Sequence, residues 1–278
     1  MVDLVTVGDL MVDILLAQLK PGKALHAPVR MRVGGSAANA AVWAAAAGAT
    51  VKTVGRVGND VGGVIVARSL ADAAITPLLA IDRDEPTGVF VAAPRGTVVA
   101  ERGANARLAP ADVEQATEAG LLLLSGYLLL NHDTEEAAIT AIANAGDRLV
   151  IDAGAPGLLQ QFGTNRFLDV TRSAGILLIS AEEARVLTGA GPSEAARILG
   201  ALYSIVCVKL GDRGVIASIG KRVGTFGVPA LERRNRIGCG DAFAGGMLAA
   251  LARNSPIDEA ITEGCRAGAL AASGQWPT

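Results

Sequence analysis

Short apolar-rich runs recur along the chain at 2–8, 51–57, 75–81, 121–124, 149–152, 176–179 and 205–210. Segments of helical pattern separate many of them, at 37–47, from about 60 to 73, and at 133–145, 182–187 and 193–202. Strands with little polar alternation are apolar on both sides, so both faces of their sheet must be covered. Parallel neighbours also need a crossover of a dozen or more residues between them, usually a helix. The pattern therefore predicts an α/β protein with a mainly parallel central sheet between helical layers. Composition fits: 51% of residues are hydrophobic but only 3% aromatic, so the core is built from Ala, Val, Leu and Ile. Two stretches break the rhythm. Residues 14–33 carry Pro21-Gly22 and Pro28, and the β-like runs 88–92 and 97–101 flank Pro94-Arg95-Gly96, a hairpin signal. These predict a small β appendage on a single domain covering 1–278, since no stretch reads as an interdomain linker.

The bulk numbers exclude several classes. A net charge of −2 offers no basic surface for nucleic acid. Cys207, Cys239 and Cys265 are far apart and odd in number, which suits neither a metal cage nor a disulfide framework. The most apolar run, 119–130, is too short to span a bilayer. The expectation is a cytoplasmic protein without nucleic-acid or membrane partners. The chain lacks the Gly-x-x-x-x-Gly-Lys-Ser/Thr phosphate loop, and no Gly-x-Gly-x-x-Gly follows the first strand.

The chemistry concentrates near 233–243. Gly238-Cys239-Gly240 opens a small-residue helix, and Asp241 stands in its first turn. Glycines let backbone N–H groups approach an anion, and a helix N-terminus adds partial positive charge. A carboxylate in the same turn suits a base for an attacking hydroxyl. The competing reading is an ordinary glycine-rich turn. Gly34-Gly35-Ser36 opens another helix, with the poor helix former Asn39 in its first turn, and Asp9 and Asp13 follow the first strand.

In order along the chain, Gly34-Gly35-Ser36-Ala37-Ala38-Asn39, 55–62, 103–108, 180–184, 209–214 and 237–243 resemble the motifs of the ribokinase-like, or PfkB, family of carbohydrate and nucleoside kinases. The resemblance implies a ribokinase-like three-layer α/β/α domain with a β-lid from about 10–33 and 87–102. It implies transfer of the γ-phosphate of ATP to a hydroxyl of a small sugar or sugar acid, with Mg²⁺. Asp241 would be the base, and Gly238, Cys239 and Gly240 the anion hole. Asp13, Gly35, Ser36 and Asn39 would hold the substrate, with Arg102, Asn105, Met11 and Tyr127 as candidates for setting specificity. Ser180, Lys209, Gly211, Gly214 and Arg266 would face the nucleotide, and Glu183 would act on Mg²⁺ through water.

Three departures stand out. Asn235-Arg236-Ile237 replaces the Asp-Thr-Thr that commonly precedes the Gly-x-Gly-Asp core, which puts the family's activating monovalent cation in question. Ser180 replaces an Asn, and no lysine follows Gly35. A nucleoside kinase of the same family stays open, although nine aromatic residues give few walls for a base. A non-catalytic sugar or nucleotide sensor is the reading from another class. A homodimer through the lid, covering its sheet edges, is also expected.

Overall fold

The structure is a computed structural model and describes residues 2–18, 26–93, 97–117, 119–232 and 237–277. Its strands are β1 (Leu4–Val7), β2 (Met11–Leu16), β3 (Val29–Gly34), β4 (Val51–Gly58), β5 (Thr76–Asp82), β6 (Thr87–Ala93) and β7 (Thr97–Gly103). They continue as β8 (Leu121–Ser125), β9 (Leu149–Asp152), β10 (Ile176–Ser180), β11 (Ile205–Lys209), β12 (Val215–Ile219) and β13 (Arg222–Phe226). Among the described residues these form two sheets. One has nine strands in the order β13-β12-β11-β10-β9-β8-β1-β4-β5, and the other has four in the order β3-β2-β6-β7. The large sheet is parallel from β5 to β11 and turns antiparallel at β12 and β13.

The near-continuous apolar strands follow from the two cores they serve. Leu4, Leu123, Val150, Leu178 and Cys207 point to one face, where the helices Ser36–Ala46, Cys239–Ala252 and Ile257–Ala272 pack. Their alternating neighbours Val5, Leu122, Ile151, Leu177 and Val206 point to the other, under Glu135–Ala145, Ala181–Thr188 and Pro192–Leu199. Alanine and glycine let the first group of helices approach closely. A Cβ on Gly245 would stand 2.4 Å from the Ala40 carbonyl oxygen, so only glycine lets these two helices meet there.

The three-layer α/β/α expectation holds, with a separate small sheet. Some details differ. The stretch 14–33 does contribute strands outside the main sheet, but they are regular: β2 and β3 are six-residue strands paired in full register, and Asp13 lies within β2. Their alternation puts Val12, Ile14, Met31 and Val33 on one face and gathers Asp13, Arg30 and Arg32 on the other, and β6 and β7 complete the sheet. The helices Pro156–Phe162 and Thr164–Thr171 and the edge strand β13 were not anticipated. Pro156 at the start and Gly163 after the end were the available signals for the first of these. The hairpin tip 94–96 lies outside the described residues.

Candidate active site

Four adjacent parallel strands end in polar residues: Ser125 on β8, Asp152 on β9, Ser180 on β10 and Lys209 on β11. Register puts Ser125 beside Asp152 and Ser180 beside Lys209. This is the carboxyl edge of the sheet, where open α/β sheets bind ligands. The helix Cys239–Ala252 starts over the same edge. Gly238 precedes it with φ 73, a left-handed conformation that favours glycine, and as the cap residue it has no side chain to bond the first-turn amides. The first-turn amides and the positive end of the dipole are thus directed at the site.

Asp241 Oδ2 accepts a hydrogen bond of 2.8 Å from Asn39 Nδ2. Burial first and the nearby Asp152 charge second push the Asp241 carboxyl up to about 7, against the Asn39 bond and Lys209. Asn39 is 5% exposed, and its Oδ1 has no partner among the described residues. Leaving a buried acceptor unpaired costs on the order of 1–3 kcal/mol. Its position is set by Gly35, whose φ is 89 and where a Cβ would stand 2.0 Å from the Asp9 carbonyl oxygen. Gly35 therefore serves backbone geometry at the start of the helix Ser36–Ala46. Ser36 Oγ lies 2.6 Å from Ser125 Oγ, and both hydroxyls border a small cavity shared with Asp152 and Asp241.

Lys209 Nζ donates to both Asp152 oxygens, at 3.0 and 2.8 Å. Burial opposes its charge, yet Asp152, Glu183 and Asp241 hold its pKa above the ordinary ammonium value. A Cβ on Gly240 would stand 3.3 Å from this ammonium, so the cation sits beside the helix start. Asp152 was missed at the sequence level. The signal was a strand ending in an acid at the carboxyl edge, but which acid faces Lys209 depends on strand order.

Beyond Lys209 opens a cleft of about 1030 Å³, lined by Ser180, Gly211, Gly214, Cys239, Gly240 and the small residues of the last helix. Its volume suits a drug-sized or nucleotide-sized ligand. Arg266 does not line it. Gly264, Cys265, Gly268, Ala269 and Ala272 share the cleft face of the helix Ile257–Ala272, and helical spacing turns Arg266 outward. There it bonds to Glu263 at 2.9 Å and is more than half exposed. Arg266, expected to face the nucleotide, is thus turned away from this cleft, and Gly264 and Gly268 line it on that helix.

Ser180 and Glu183 form a reciprocal capping box. Glu183 Oε2 accepts from Ser180 N at 2.7 Å, and Ser180 Oγ accepts from Glu183 N at 3.2 Å. The Ser180 departure thus gives a well-made helix start. Burial raises the Glu183 pKa, with Asp152 adding and Lys209 opposing.

The small sheet brings Asp13 and Arg102 over this edge. Arg102 Nε and Nη2 each donate to Asp9 at 2.9 Å, so its guanidinium is already paired. Asn105 is buried, accepts from Leu10 N at 2.8 Å and donates to the Leu10 and Arg102 carbonyls at 2.9 Å. It ties the β1–β2 connection to β7, which leaves both N–H groups of its amide occupied rather than offered to a substrate. Asp13 is 2% exposed, and burial pushes its carboxyl up to about 6 against the attraction of Arg32, 3.4 Å away. Tyr127 stands among the same acids, and burial followed by the charges of Asp241, Glu183 and Asp152 raises its pKa. Met11 is buried. Asn235 and Arg236 lie outside the described residues.

A family model described as "pfkB family carbohydrate kinase" matches residues 1–275. The chain belongs to the pfkB family. Membership makes it an ATP-dependent carbohydrate kinase. A curated relative, the 5-dehydro-2-deoxygluconokinase of Shouchella clausii, is 25% identical over 295 residues, covering 98% of this chain and 90% of its own. A PfkB protein from Polaromonas sp. JS666 has a TM-score of 0.84 at 25% identity, covering 100% of this chain and 98% of the other. The adenosine kinase from Sinorhizobium meliloti has a TM-score of 0.83 at 21% identity, with 98% and 93% covered, and is similar in fold. Among the described residues no helix is long and apolar enough to cross a membrane.

Proposed function

We propose that this pfkB-family enzyme transfers the γ-phosphoryl of ATP to a hydroxyl of a small sugar or sugar acid, with Asp241 as base. The carrying observation is the Asp241 carboxylate in the first turn of a glycine-started helix whose N-terminal residues line the cleft, held by Asn39 and flanked by Lys209. Asn39 occupies Oδ2, leaving Oδ1 for the acceptor hydroxyl. Its own orphaned Oδ1 can accept from a second substrate hydroxyl. The acceptor oxygen forms a bond to the γ-phosphorus, the bond from phosphorus to the β,γ-bridging oxygen breaks, ADP leaves, and the hydroxyl proton goes to Asp241. Phosphoryl transfer asks the protein chiefly for alignment and for stabilisation of spreading negative charge. The amides at 239–241 and the Lys209 ammonium meet the second need.

ATP would lie in the cleft, with its phosphates toward Gly240 and its nucleoside toward Gly211, Gly214 and Gly264. Carboxylate oxygens are the right donors for Mg²⁺, which keeps several waters and binds one or two carboxylates plus substrate phosphates. Glu183 fits, since one of its oxygens is free of the capping bond, and Asp152 is close enough to act on its charge. Bound there, Mg²⁺ would supply charge neutralisation at the phosphates. The small sheet of β2, β3, β6 and β7 would act as the expected lid and exclude water. The reading is of a single cytoplasmic kinase domain, without a required monovalent cation. The name of the Shouchella relative supports a sugar acid among the acceptors.

The test is ADP release over a panel of sugars, sugar acids and nucleosides. Turnover with a sugar or sugar acid is expected, and Asp241→Asn should lose about 10²–10⁴ in kcat. Nucleoside-only turnover would overturn the acceptor class. Tight ligand binding without any turnover would favour a sensor, and near-normal turnover in Asp241→Asn would remove Asp241 as base.

A further inference from the structure

Arg32 lies on β3, on the face of the small sheet that looks into the site. Its cross-strand row runs Arg32, Asp13, Phe90, Ala100. The guanidinium carbon sits 3.4 Å from the centre of the Trp276 ring. Trp276 meets Trp43 edge-on, with ring centres 5.5 Å apart, and a Cβ on Gly238 would stand 2.9 Å from the same indole. A lid strand, the C-terminal segment and the anion-hole turn thus converge on one side chain.

Arg32 is poorly satisfied there. Of its five N–H groups, one makes a hydrogen bond among the described residues, a long one of 3.4 Å to Asp13 Oδ2. Its Nε is buried without a partner. Arg102, on the same face, shows what a structural arginine looks like: two bonds of 2.9 Å to one carboxylate. A guanidinium lying against an indole has one face covered and its N–H edge free. That edge is a planar fork matched to a carboxylate. Asp13 does not fill the fork, because its carboxylate is drawn back against Gly34, where a Cβ would meet it at 1.7 Å. The cation is therefore near enough to feel the Asp241 charge and has most of its donors unused.

We propose that Arg32, held flat by Trp276, receives the carboxylate of an acidic acceptor, so that the enzyme prefers sugar acids to neutral sugars. This rests on the kinase reading of the Asp241 site. It assigns Arg32 a specificity role, with Trp276 as its positioning residue.

The experiment compares C5 and C6 aldonates with the corresponding alditols in wild type, Arg32→Gln and Arg32→Lys. Wild type is expected to favour the best aldonate over its alditol by at least about 30-fold in kcat/KM, the scale of a lost charged pair. Arg32→Gln should lower the aldonate value by about 30–100-fold and move the alditol value less than about 3-fold. Arg32→Lys, which keeps charge but not the fork, should fall between. Equal losses on both substrates, or a wild-type preference for alditols, would overturn the proposal. Binding is read separately. Both tryptophans of the chain belong to this cluster, so intrinsic fluorescence reports it directly. If no member of the panel is turned over, the kinase reading fails by itself. A saturable emission change with an aldonate, lost in Arg32→Gln, would still support the receptor, and no change with any aldonate in wild type would sink it.

Discussion

A carboxylate that is both buried and required as a base carries a measurable pH signature. Asp241 is pushed up to about 7 by burial first and by Asp152 second. The base works ionised, so kcat/KM should rise with pH through about 7. Asp152→Asn removes a neighbouring negative charge and leaves the Lys209 ammonium unpaired. Both changes favour the Asp241 anion, so the acid limb should move to lower pH; an unmoved or raised limb would contradict the assigned coupling. The sign for stability is opposite to that of a paired surface acid. The folded pKa lies above the ordinary value of 3.8, so the native state binds the proton more tightly. The stabilising contribution is complete below about 4 and is lost as pH rises through 7. Asp241→Asn should therefore gain Tm relative to wild type as pH rises from 4 to 8. A constant difference across that range would show that the group is not perturbed in the fold.

Among the elements, the helix Ser36–Ala46 matters most because it delivers Asn39 to Asp241. Its start depends on Gly35, where a side chain would meet the Asp9 carbonyl at 2.0 Å in a left-handed backbone. Gly35→Ala should cost at least about 1–3 kcal/mol from backbone strain alone. Denaturant unfolding reads this, and kcat should fall with it because Asn39 shifts. Unchanged stability would mean that this turn is not fixed. The motif Gly34-Gly35-Ser36 was legible in sequence, but the reason for the second glycine was not. That reason is the approach of the β1–β2 connection, a contact between segments that strand order brings together. The same limit explains Asn105, whose polar amide reads like a ligand contact until its three backbone partners are seen.

For the whole molecule, the small sheet has two unlike faces. The row Met31, Ile14, Val91, Val99 crosses all four strands on the side away from Asp13. Met31 is 56% and Val99 66% exposed. An aliphatic row of this kind suits a second copy of the sheet. A lid homodimer, expected from sequence through the sheet edges, would on this reading use the face as well. Light scattering after size exclusion is expected to give a dimer for wild type and a monomer for the Met31→Glu, Val99→Glu double variant. A monomeric wild type at micromolar concentration would remove the interface.

Local pattern was enough for the architecture, the family and the glycines and acid that open the helix Cys239–Ala252. Strand runs apolar on both sides demand two covering layers, and glycines followed by an acid at a helix start have few other uses. Those signals lie within a few consecutive residues, so the sequence by itself determined them. The Asp152–Lys209 pair, the backbone role of Asn105, the outward turn of Arg266 and the meeting of Arg32 with Trp276 join residues from 3 to 244 positions apart. Only the order of strands and the seating of the last helix decided those, because charge coupling and desolvation depend on distance through space and not along the chain.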